Sequence, residues 1–186
     1  MEIQDPCKGC DQGLQESAQH CLMECTPAQK AWSAFLSVWG EWEAPNRLSI
    51  TWPFVLLGES VFEEEDDPPD LHRYYPGGFS YRRQPLDILR SFLLYYLWSE
   101  RCRRHFDGQY SLKRVLLQSW EATAEVGMAT WKAIRSSSQD RPQDNQNSIE
   151  LAFRTEWLHG RIFGEGEAAI SWRLLPPLYF LNFSND

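Results

Sequence analysis

The chain is short of the features that mark whole classes of protein. None of its 186 residues lie in an uninterrupted apolar run of about 18, the length a membrane-spanning helix needs. Met1-Glu2-Ile3-Gln4-Asp5-Pro6 lacks the basic and then apolar start of a secretory signal peptide. The expectation is therefore a cytoplasmic or nuclear protein, not a secreted one, with no membrane partner. Positive charge is scarce: 18 Lys and Arg stand against 26 Asp and Glu, a net charge of -8. That balance disfavours a generic polyanion binder. Gly164-Glu165-Gly166 has neither the third glycine nor the lysine of a phosphate-cradling loop. Beyond residue 25 only one cysteine remains, Cys102.

What is present argues for a folded domain. Hydrophobic residues make up 42 % of the chain and aromatics 14 %, too much for disorder along its whole length. The size fits one core.

The other four cysteines, Cys7, Cys10, Cys21 and Cys25, crowd the first 25 residues together with His20. A two-residue gap lets the thiolates of Cys7 and Cys10 meet one ion from a tight turn, for which Gly9 supplies backbone freedom. His20 and Cys25 approach from the following segment and complete a tetrahedron. Cys21 could replace His20, but two adjacent residues seldom point at the same ion, so the set read here is Cys7, Cys10, His20 and Cys25. Three sulfurs and one nitrogen suit a structural Zn2+, because four protein ligands leave no position for a reactive water. Such an ion contributes on the order of 10 kcal/mol to the folding of a segment with few apolar residues of its own.

After Cys25, Thr26-Pro27-Ala28-Gln29 reads as a helix start with Thr26 as N-cap. Trp32, Phe35, Leu36 and Trp39 mark one face, and Gly40 ends the run. Residues 48–58 are extended or briefly helical. Glu59 to Asp70 carries seven acids and no base, a solvated connection that continues to Pro85. Leu86 to Phe106 forms a helix that is apolar almost all round, hence buried on most faces. Leu112 to Ile134 forms its antiparallel partner, with Leu116, Trp120, Ala124, Gly127, Trp131 and Ile134 on one side. Ser136 to Asn147 holds no apolar residue and reads as a disordered linker. Ile149 to Leu158 fits a further helix, and an aromatic tail follows.

The fold class expected is mainly α, an N-terminal zinc knuckle followed by a small helical domain with an irregular C-terminal tail. Its parts are the knuckle and first amphipathic helix (1–40), an acidic connection (41–85), an antiparallel helical pair (86–135), a linker (136–147) and a C-terminal segment (148–186).

Catalytic constellations are poorly represented. Asp66 and Asp67 sit in the acidic connection rather than on a rigid scaffold for two metal ions. Cys102 and His105 lie on one helix with nothing to orient them or stabilise an oxyanion. The expectation is no enzyme and no small-molecule substrate. From Arg82 to Arg114, eight bases face three acids, and Arg101, Arg103 and Arg104 are candidates for phosphate contacts. The bland alternative is a solvated helix end complementing its dipole.

Cys7-Lys8-Gly9-Cys10, followed by Glu16-Ser17-Ala18-Gln19-His20-Cys21-Leu22-Met23-Glu24-Cys25 and the helix carrying Trp32, resembles the zinc-binding region of non-LTR retrotransposon reverse transcriptases, as found in fungal elements. Trp98-Ser99-Glu100-Arg101-Cys102-Arg103-Arg104-His105-Phe106 resembles the W-x-E-R-x-R-x-x-F helix that often follows it. The resemblance covers residues 5–108. It implies that Cys7, Cys10, His20 and Cys25 are metal ligands and that the chain is a non-catalytic module, a fragment or domesticated remnant of a larger reading frame, assisting contacts with RNA, DNA or protein. No polymerase or ribonuclease H residues accompany it. The alternatives are a helical protein-interaction domain without a nucleic-acid role and a non-functional transposon remnant.

Overall fold

The computed structural model describes residues 6–7, 9–10, 13–42, 50–58, 84–138 and 142–157. Helix α1 spans Thr26–Trp42, α2 Trp52–Leu57, α3 Gln84–Asp107, α4 Leu112–Ser138 and α5 Gln143–Trp157, and a π-helical turn at His20–Glu24 precedes α1. Among the described residues there is no strand, only a bridge pairing Pro6 with Gln15. The protein is mainly α, as its periodicity predicts. None of the described helices is long and apolar enough to cross a membrane. The acidic stretch 59–70, including Asp66 and Asp67, the Gly164–Gly166 segment and the tail from residue 158 lie outside the described residues.

Helices α3 and α4 form the central hairpin. Leu86, Leu89, Leu93 and Leu97 recur along one side of α3, Val115, Leu116, Trp120 and Ala124 along α4, and all eight are buried. The turn between them is fixed by polar contacts. Gly108 takes a left-handed backbone, φ 67°, which only glycine adopts without strain. The buried Glu100 carboxylate accepts the Ser111 N–H at 2.7 Å, and the Ser111 hydroxyl caps α4 by accepting the Arg114 N–H at 3.3 Å.

One side of α3 is open, within the expectation of burial on most faces but at aromatic positions: Tyr95 is 62 % exposed and Trp98 45 %. A helix against a single partner layer buries one stripe, and its remaining aromatics face outward.

Of the segment expected to be extended or briefly helical, Trp52–Leu57 forms α2. The Thr51 hydroxyl accepts the Phe54 N–H at 3.3 Å, Pro53 sits in the first turn, and Gly58 closes the helix with φ 74°. Arg90 ties α2 to α3, donating from Nη1 to the Val55 carbonyl at 2.7 Å. Trp32 of α1 meets Phe54 edge-on with ring centroids 6.3 Å apart, and Phe35 meets it at a tilt, 5.9 Å away.

Three boundaries differ from the sequence reading. Gly40 does not end α1, which continues to Trp42; a helical glycine costs only about 1 kcal/mol relative to alanine. The N-cap of α1 is Cys25 rather than Thr26, because the Cys25 carbonyl accepts the Gln29 N–H at 2.9 Å while its backbone is extended. Ser136 to Asn147 is not one linker: α4 runs on to Ser138 and α5 begins at Gln143. These turns are solvent-facing, so they need no apolar residue. Phe153 and Trp157 of α5 then stack on each other with centroids 5.8 Å apart, and Phe153 meets Trp131 at 5.0 Å.

Trp157 crosses α4 at Gly127, where a Cβ would come within 2.5 Å of its ring. Gly127→Val is expected to lower stability by about 1–3 kcal/mol through overpacking, more than the few tenths regained in helix propensity. A urea midpoint equal to wild type would contradict this contact.

Candidate metal centre

Two short segments bring the four ligands together. In the first, the Cys7 N–H donates to the Leu14 carbonyl at 2.8 Å, and the Pro6–Gln15 bridge closes the loop below it. Cys7 and Cys10 sit inside this loop, and the Gly9 N–H points to the Cys7 sulfur at 3.4 Å. The second segment is the π-helical turn. The Ser17 hydroxyl accepts the His20 N–H at 3.0 Å, and five residues on, the Cys25 N–H donates to the His20 carbonyl at 2.7 Å. This wider ring spaces His20 and Cys25 so that both side chains reach the same point. π-turns are rare and recur at functional positions.

One donor atom from each of Cys7, Cys10, His20 and Cys25 lies within 4.8 Å of the other three. The Cys7 and Cys25 sulfurs are 3.7 Å apart. Tetrahedral thiolates at a metal–sulfur distance of about 2.3 Å would be about 3.8 Å apart. Cys10 Sγ and His20 Nε2 are 3.2 Å apart. The sequence-predicted ligand set is thus assembled, and it could hold a metal ion. Cys21, the rival for the fourth position, is buried but is not part of the cluster, because successive residues of a helical turn point in different directions.

The His20 ring, 2 % exposed, turns Nε2 to the cluster, while Nδ1 lies 3.9 Å from the Glu24 carboxylate. At that distance no hydrogen bond joins them, and the buried Nδ1 has no hydrogen-bond partner among the described residues. Gln19 donates to the Glu24 carboxylate at 2.7 Å.

Burial pushes the Cys25 thiol well above its ordinary range, and its hydrogen bond with Cys7 and the Cys7 and Cys10 charges add to this. Burial acts on Cys7 in the same sense, but the Gly9 N–H, hydrogen bonds with Cys25 and Cys10, and the Arg104 charge outweigh it and lower that thiol. Burial also pushes Cys21 up to about 11, which suits an inert packed thiol.

The three arginines proposed for phosphate contacts have different surroundings. Arg101 forms an ion pair with Glu16 and lies over the Trp98 ring, 5.1 Å from its centroid. Arg104 points Nη2 at the Cys7 sulfur, 3.8 Å away, and covers the Tyr110 ring at 5.6 Å. Arg103, 36 % exposed, lies 3.8 Å from Glu100. Cys102 and His105 share α3; the ring contact of His105 is with Phe106.

The fold and the site together define a small all-α domain carrying a Cys3His cluster. Comparison of the chain with protein-family models, with characterised proteins and with solved structures found no match. The resemblance to reverse transcriptase zinc-binding regions therefore rests on the residues that carry it.

Two outcomes follow from this geometry. Cys7→Ser, Cys25→Ser and His20→Asn should each abolish tight binding of a single Co2+ probe ion, whereas Cys21→Ser should leave its stoichiometry unchanged; visible absorption of the tetrahedral thiolate complex reads this directly, and loss of the band in Cys21→Ser would contradict the ligand set. Binding must also expel the proton that burial keeps on Cys25. Affinity therefore falls as pH is lowered, about tenfold per pH unit for each proton displaced. Competition titrations at several pH values and a buffer-dependent binding heat check it.

Proposed function

We propose that this chain is a non-catalytic zinc-binding module, in which one structural Zn2+ fastens the N-terminal knuckle to a helical domain that assists nucleic-acid contacts. The observation that carries the metal part is the convergence of Cys7, Cys10, His20 and Cys25. Three thiolates and an imidazole match the preference of Zn2+ over harder cations. With all four positions taken by protein, the ion has no site left for an activated water, so its role is structural. The nucleic-acid part is supported by the resemblance to the reverse transcriptase region and by Arg103, whose side chain is 36 % exposed.

A second reading, a protein-interaction domain, is favoured by the apolar groups that α3 leaves in solvent: Tyr95, Trp98 and Phe106, the last 78 % exposed. Aromatic residues of this kind often anchor protein interfaces.

Metal analysis after Zn2+ reconstitution should find one equivalent per chain, and chelation should melt residues 1–40 as followed by amide exchange. Less than about 0.2 equivalents would sink the zinc reading. Salt-titrated binding to single-stranded RNA and to duplex DNA separates the two partner classes. A steep salt slope that drops by about one in Arg103→Glu supports nucleic acid; no binding even at low salt supports the protein partner.

A further inference from the structure

Three thiolates around a divalent cation leave one net negative charge in a site that is largely buried. An uncompensated buried charge is costly. The described residues place one cationic group against it. Arg104, from the last turns of α3, sends its guanidinium between the Tyr110 ring and the knuckle, with Nη2 3.8 Å from the Cys7 sulfur. Gly9 makes room for it: a Cβ there would overlap the guanidinium. One helical turn earlier, Arg101 holds Glu16, which fixes the far side of the same loop to the same helix.

We propose that Arg104 is the counter-charge of the metal centre, a positioning residue whose cation balances the excess thiolate charge and makes metal affinity depend on α3. The inference rests on the zinc reading above and goes beyond its four ligands. It gives Gly9 a second role, as the gap through which the helix reaches the sulfur. It also links knuckle and hairpin in both directions: a bound ion strengthens the docking of residues 6–25 on α3, and a well-formed α3 strengthens the ion's binding.

The test is Zn2+ affinity of the full chain, by competition with a chromophoric chelator, at low and high salt. Arg104→Gln should bind Zn2+ about 10–100-fold more weakly, the usual effect of losing a group that supports metal ligands. Arg104→Lys keeps the charge and should recover affinity to within about fivefold of wild type. The gap between wild type and Arg104→Gln should narrow as salt screens the charge. Arg103→Gln, whose partner is Glu100, should match wild type. If Arg104→Gln does not fold, Gly9→Ala displaces the guanidinium without deleting it and should weaken binding in the same way.

Affinity of Arg104→Gln within twofold of wild type overturns the proposal, as does an Arg104→Lys variant as weak as Arg104→Gln. A wild-type chain that takes up no Zn2+ overturns the metal centre itself, a failure distinct from equal binding by wild type and variant.

Discussion

Burial of one leucine stripe on α3 is the interaction on which the rest of the structure depends. Leu86, Leu89, Leu93 and Leu97 lie on successive turns, and α4, α1, α2, α5 and the π-helical turn all pack on this helix. Each fully buried leucine contributes about 1.5–3 kcal/mol, so the stripe as a whole outweighs any single polar contact among the described residues. Its polar neighbours serve alignment instead. Glu100 spends a buried carboxylate on the Ser111 N–H, fixing where the chain turns, and Arg90 carries the direction of α3 to the end of α2.

The knuckle joins the core through Cys7, Leu22 and Cys25, and charge adds to this. Arg101 and Arg104 sit one turn apart, so both point from the same face of α3, one at Glu16 and the other at Cys7. Cys25 joins the two regimes. Its thiol belongs to the cluster, its N–H closes the π-turn, and its carbonyl caps α1. The extended backbone at this one residue is what lets it face the cluster while α1 leaves in a new direction, carrying Trp32 and Phe35 into the core. Trp32 closes the circuit by donating to the Leu22 carbonyl of the same π-turn at 2.7 Å.

Much of this was legible in the sequence because the signals are local. Cysteine and histidine spacing picked out the four residues that converge into the cluster, and the 3.6-residue period found the buried face of α4. What escaped depends on three-dimensional context. Spacing alone could not decide between His20 and Cys21; the five-residue hydrogen bond to Cys25 does, by setting which side chain faces inward. The polar residues around Ser136 and Asn147 gave no periodic signal because a helix turn in solvent has no face to mark. The exposure of Tyr95 and Trp98 escaped for the converse reason: apolar composition shows that a residue can be buried, while the number of packing layers decides whether it is.

The same distinction changes what the basic segment means. Counted along the chain, residues 82–114 carry an excess of positive charge in an acidic protein, a pattern that reads as a polyanion site. Placed in the fold, Arg90 serves the end of α2, Arg101 is matched to Glu16, and Arg104 lies against a thiol cluster that becomes anionic when it ionises. A cation already paired in a partly buried setting contributes little to the outward field, because at distances well beyond the pair's separation the two charges cancel. Most of the positive charge on this face of α3 therefore works inward, holding the knuckle in place. Among the described residues of this segment, even Arg103 lies beside a carboxylate, that of Glu100 at 3.8 Å.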